Sequence, residues 1–89
     1  MKPAEKRNRK KIFDEDGVKA FAIQLIKIRT NMGYTQSQLA FESGLSLSQI
    51  ARIETARINP TISTVFILAR TLDIPLKELF DFELSTTTD

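Results

Sequence analysis

Two helix-start signatures, Thr35-x-x-Gln38 and Ser46-x-x-Gln49, stand eleven residues apart, with Gly44 just ahead of the second. In such a capping box the hydroxyl accepts from the amide three residues on, and the Gln side chain returns to the amide of the capping residue. Two otherwise unpaired donors are satisfied at each start. Tyr34 precedes the first box with Leu39 one turn inside, and Leu45 precedes the second with Ile50 in the same place, so an apolar staple also fixes each entry angle. The pattern predicts two short helices, Thr35 to about Ser43 and Ser46 to about Thr55, joined by a tight turn at Gly44 and Leu45.

That pairing is a helix-turn-helix, whose second helix fits the major groove of DNA. Before it, Asp14, Glu15 and Asp16 place acids where a helix start favours them. The series Val18, Phe21, Ala22, Leu25, Ile28, Met32 then keeps the three-and-four spacing of a buried stripe. It predicts a helix from about Asp16 to Met32, ended by Gly33, a residue able to adopt positive φ. After the pair, Arg57-Ile58-Asn59-Pro60 reads as a loop, and Thr61 caps a fourth helix with the stripe Ile62, Val65, Leu68, Ala69, Leu72. Asp73 and Ile74 break that helix, and Pro75 opens a short fifth through about Phe80. The fold class is all-α, a five-helix bundle.

Composition narrows the function. The 89 residues, 42% of them apolar, suit one small domain. Cysteine and histidine are absent, which removes disulfides, thiolate and imidazole metal ligands, and the usual nucleophile and general base. No catalysis, metal or cofactor is expected. No apolar run approaches the roughly 18 residues of a membrane span, and the basic N-terminus lacks the apolar stretch of a signal peptide, so a cytoplasmic location is expected. The net charge of +2 hides an asymmetry: residues 1–11 carry six bases against Glu5, whereas the rest carries seven bases and ten acids. Residues 1–11 therefore read as a basic, disordered arm, 12–84 as the folded domain, and 85–89 as a flexible polar tail.

The helix order, the two boxes and the closing Asn59-Pro60 resemble the Cro and phage-repressor type of helix-turn-helix domain, also called XRE-like, over roughly residues 21–80. The residues that carry the likeness are Ile28-Arg29 ahead of Gly33-Tyr34-Thr35-Gln36, Gln38-Leu39-Ala40, Gly44-Leu45-Ser46, Ile50 to Glu54, Arg57 with Asn59-Pro60, and Leu68-Ala69 with Leu72. The resemblance implies double-stranded DNA as partner, regulation of transcription by repression or autoregulation, and a homodimer on a palindromic operator.

At 100° per residue, Ser48 and Arg52 point about 160° away from Ile50 on the second helix of the pair. With Leu47, which is suited to a thymine methyl, they are the candidate base contacts; Arg52 can grip guanine through two bonds. A solvated surface charge is the alternative for Arg52. The resemblance makes Thr35 and Gln36, at the positive end of the first helix, contacts to the DNA backbone, with Ser46, Arg57 and Asn59 as further contacts. Asn59 has an equal alternative as a loop-closing hydrogen bond. Arg29 and Glu54 match the family's internal ion pair, although Arg29 could instead touch a phosphate. Lys6, Arg7, Arg9, Lys10 and Lys11 are candidate DNA contacts of the arm, which could equally be a solubility tail.

Where the family pattern is usually polar, this chain has Ile23, Ile26, Phe41 and Ile67. Phe66, Ile67 and Phe82 are the candidate dimer interface, with Leu76 and Phe80 beside them; alternatively Phe80 and Phe82 cover the base of the core. A second functional reading makes the chain an antitoxin that neutralises a toxin protein through its surplus apolar residues and its arm, and autoregulates its operon.

Overall fold

The computed structural model describes residues 12–84; residues 1–11 and 85–89 lie outside it, and with them the candidate arm bases Lys6, Arg7, Arg9, Lys10 and Lys11. Five helices follow one another: α1 (Glu15–Asn31), α2 (Gln36–Ser43), α3 (Leu47–Glu54), α4 (Ile62–Leu72) and α5 (Leu76–Leu79). The starts obey local chemistry. Thr35 Oγ1 accepts from the Gln38 amide at 3.0 Å while the Thr35 amide donates to Gln38 Oε1 at 2.9 Å, and Ser46 and Gln49 repeat the exchange at 3.0 and 3.1 Å. Thr61 accepts from the Thr64 amide ahead of α4. Asp14 accepts from the Gly17 amide at 2.9 Å, so α1 starts at Glu15, one residue earlier than its apolar stripe suggests.

Three helix ends share a hydrogen-bond pattern. The amides of Tyr34, Arg57 and Ile74 return to the carbonyls of Arg29, Arg52 and Ala69, and in each case the residue between helix and returning amide is left-handed. This is the Schellman motif. Gly33 occupies the left-handed position after α1, but Ala56 (φ 58°) and Asp73 (φ 55°) occupy it after α3 and α4. Met32, expected at the end of the α1 stripe, caps the helix instead and is exposed, because the chain turns away there.

α1 packs on α3 and α5, α2 packs on α3 and α4, and α4 meets α5. Leu25, Leu39, Ile50, Ile53, Leu68, Leu72 and Leu79 are fully buried where these elements meet. Truncating any one of them to Ala costs about 2–5 kcal/mol. Tyr34 and Leu45, the outer halves of the two staples, pack against this core. Ile62 does not. It is 63% exposed, because the first position of α4 lies beyond the end of the core stripe. At the base, Phe82 packs against the core, whereas Phe80 stacks on Phe21 at 5.6 Å but keeps 43% of its surface exposed.

Candidate nucleic-acid interface

The apolar face of α3 is spent on the core, where Ile50 and Ile53 are buried. The opposite face is free: Ser48 and Arg52 are exposed, and Leu47 at the first position is 48% exposed. One turn of helix separates Ser48 from Arg52, so the two side chains rise side by side. Thr35, Ser46, Arg57 and Asn59 are also exposed, whereas Gln36 is half-buried. Each capping hydroxyl takes the third amide of its helix, and no helix carbonyl reaches the first two, so α2 and α3 both present amides at their positive ends.

A charged cluster fixes how α3 is held. Glu54, the last residue of α3, is 7% exposed, and burial of a carboxylate there is unfavourable both for desolvation and for the negative end of a helix. Three donors offset this. Arg29 gives Nε to Oε2 at 2.6 Å and Nη2 to Oε1 at 2.9 Å, and Gln36 Nε2 donates to Oε1 at 2.8 Å. Arg29 Nη1 also donates to the Tyr34 carbonyl at 2.8 Å. The cluster thus ties α1, the entry to α2 and the end of α3 together, and losing one half of such a buried pair costs about 3–5 kcal/mol. The tie between Gln36 and Glu54 is not evident in the sequence. The available signal was stoichiometric, since a carboxylate offers about four acceptor sites and a buried one calls for more than an Arg fork.

On the outer side of this entry the Tyr34 hydroxyl donates to Glu42 Oε1 at 2.8 Å. That bond, with burial and the nearby charges of Glu42 and Asp73, raises the phenol pKa above its ordinary value.

The candidate dimer residues are divided among different parts of the surface. Phe66 lines a groove with Arg70, Asp73 and Leu76, whereas Phe82 lines a second groove with Phe80 and Ile62. Ile67 is half-buried and lines neither. Residues 66 and 67 stand about 100° apart on α4, which takes their side chains to different surfaces.

Residues 25–79 match the HTH_3 helix-turn-helix family model. The chain belongs to the HTH_3 family. Its fold is of the Cro/C1-type, XRE-like kind, a family of DNA-binding regulators of transcription. It is 41% identical over 56 residues to the HTH-type transcriptional regulator SlrR of Bacillus subtilis (strain 168), a match covering 62% of this chain and 37% of that regulator. The chain thus spans just over a third of that relative. Among HTH_3-like structures it is similar to the restriction-modification controller protein C.AhdI from Aeromonas hydrophila, at 36% identity and a TM-score of 0.69 over 71% of this chain and 96% of that one. It is also similar to the controller protein C.Esp1396I in its complex with a 19-base-pair DNA duplex, at 28% identity and a TM-score of 0.67 over 72% and 85% of the two chains. Among the described residues no helix is long and apolar enough to cross a membrane.

Proposed function

We propose that this HTH_3 chain binds a specific double-stranded DNA site as a homodimer and represses transcription, its own included, from a palindromic operator. The observation that carries the reading is the division of α3, whose inner face is anchored by Ile50, Ile53 and Glu54 while Ser48 and Arg52 stand free on the outer face. In this reading Arg52 takes a guanine edge, Ser48 an adjacent base and Leu47 a thymine methyl. The amides and side chains at Thr35, Gln36 and Ser46 hold phosphates, and Arg57 and Asn59 hold the backbone on the far side of the recognition helix. Gln36 serves twice, because its side chain braces Glu54 while its amide stays at the helix end. The basic arm supplies further phosphate contacts, and the α4–α5 face that exposes Phe66 and Leu76 supplies the dimer contact.

Selection of bound sites from random duplexes tests the reading. The expected result is a symmetric pair of half-sites about 10 base pairs apart, one turn of DNA. Arg52→Ala should keep its helical circular dichroism and lose about 1–3 kcal/mol of discrimination at one base position per half-site. Uniform weakening across all sequences, with no relaxed position, moves Arg52 into the phosphate class and removes the assignment.

A second reading, an antitoxin that also autoregulates, is favoured by one feature: Phe41 and Ile23 stand 88% and 60% exposed on α2 and α1. A toxin encoded beside this gene, retained by the wild-type chain and released by Phe41→Ser, is the expected result under that reading.

A further inference from the structure

Ser48, Arg52 and Thr55 follow one another at steps of four and three, so at 100° per residue Thr55 leaves α3 within about 20° of Ser48, with Arg52 between them along the axis. Thr55 caps the helix yet keeps its register, because its amide donates to the Ala51 carbonyl at 3.0 Å, the ordinary four-residue step. It is exposed, as Ser48 and Arg52 are. Ala51 shares this side of α3 but is half-buried and ends at Cβ, so it raises no bulk between Ser48 and Thr55. The stripe from Ser48 to Thr55 measures about 10 Å along the axis, within the roughly 12 Å width of the major groove.

The Thr55 hydroxyl is already committed within the helix. It donates to the Ala51 carbonyl at 2.9 Å and also reaches the Arg52 carbonyl at 3.4 Å, and a hydroxyl has one proton to give. A phosphate oxygen needs a donor, and the negative end of α3 is a poor place to hold an anion. The other branch of Cβ is a methyl. With the oxygen turned back onto the helix, that methyl is the group left to face outward. We propose that Thr55 is a further base-reading residue of α3, packing its methyl against the C5-methyl of a thymine in the major groove. The inference rests on the reading of α3 as the recognition helix, and adds to it one residue and one base. Arg52 and Ser48 then read polar base edges, while Thr55 closes the stripe with an apolar contact.

The experiment measures the affinity of the 89-residue chain, Thr55→Ser and Thr55→Val for the duplex recovered by site selection, with each thymine in turn replaced by uracil, which lacks only the C5-methyl. Thr55→Ser keeps the hydroxyl that bonds to Ala51, and Thr55→Val keeps the methyl; circular dichroism checks the fold of both. The expected result is one thymine per half-site whose replacement weakens the wild type and Thr55→Val about fourfold, the worth of one buried methyl, and leaves Thr55→Ser unchanged. Thr55→Ser alone should weaken the unmodified duplex about fourfold, and the two losses should not add, because both remove one contact. The thymine assigned to Leu47 is told apart by costing all three proteins alike. If Thr55→Ser responds to every uracil as the wild type does, the inference is wrong and the reading of α3 stands on Arg52. Equal weakening of Thr55→Val on selected and random duplexes also overturns it, since that places the hydroxyl on a phosphate. A wild type that selects no site overturns both.

Discussion

Tyr34 is the chain's single tyrosine, and that makes one contact directly measurable. Its hydroxyl donates to Glu42, which keeps the phenol protonated and raises its pKa above the ordinary value of about 10. The folded state therefore holds this proton more tightly than the unfolded chain. The resulting stability is fully present below about pH 10 and is lost as pH rises through the raised value. Absorbance titration of the phenolate should show a midpoint above that of free tyrosine, and Glu42→Ala should bring it back down; identical midpoints in the two proteins would remove the contact. Tyr34 also illustrates what a sequence conceals at this scale. Its role as the outer half of a staple was legible from its place before Thr35, but its bond to Glu42 and its carbonyl's bond to Arg29 depend on how α1 and α2 meet. The same holds for Gln36: its position after a cap is local, while its bond to Glu54 spans 18 residues.

Helix starts were readable because capping is chemistry between residues three apart, and Thr35, Ser46 and Thr61 each cap in the structure. Ends were read less completely. Gly33 announces a left-handed residue, but Ala56 gives no such notice, since only the returning Arg57 amide shows that it occupies the same position. An L-residue pays about 1–2 kcal/mol for that conformation, whereas glycine loses about 0.4–1 kcal/mol more chain entropy on folding than alanine does. Ala56→Gly should accordingly stabilise the domain by about 0.5–1 kcal/mol, a rise of about 3–6 °C in the thermal midpoint of a domain this size. Calorimetry decides it, and a lowered midpoint would show that the Ala56 methyl makes packing contacts worth more than the strain. Periodicity likewise overreached at element ends. Met32 and Ile62 continue their stripes in sequence, yet each stands where its helix has run past the core.

For the molecule as a whole, charge is divided by sequence position, with five net positive charges before residue 12 and three net negative after it. Affinity for DNA should then depend strongly on the arm and specificity weakly. If about three arm bases meet phosphates, deleting residues 1–11 should make the slope of log affinity against log salt shallower by about 3 units, with the ratio of specific to random binding nearly unchanged. Equal slopes would leave the surface around Gln36, Arg52 and Arg57 to bind alone. The bundle was legible at this scale because each helix shows its own period. The two grooves were not, since Phe66 lines one and Phe82 the other only through the path the chain takes between α4 and the segment after α5. That path has another outcome: Asp14 and Leu84 border one groove, so the polypeptide enters and leaves the fold at neighbouring points. A fold with adjoining ends can be grafted as a cassette into a surface loop of an unrelated host without pulling either junction out of place.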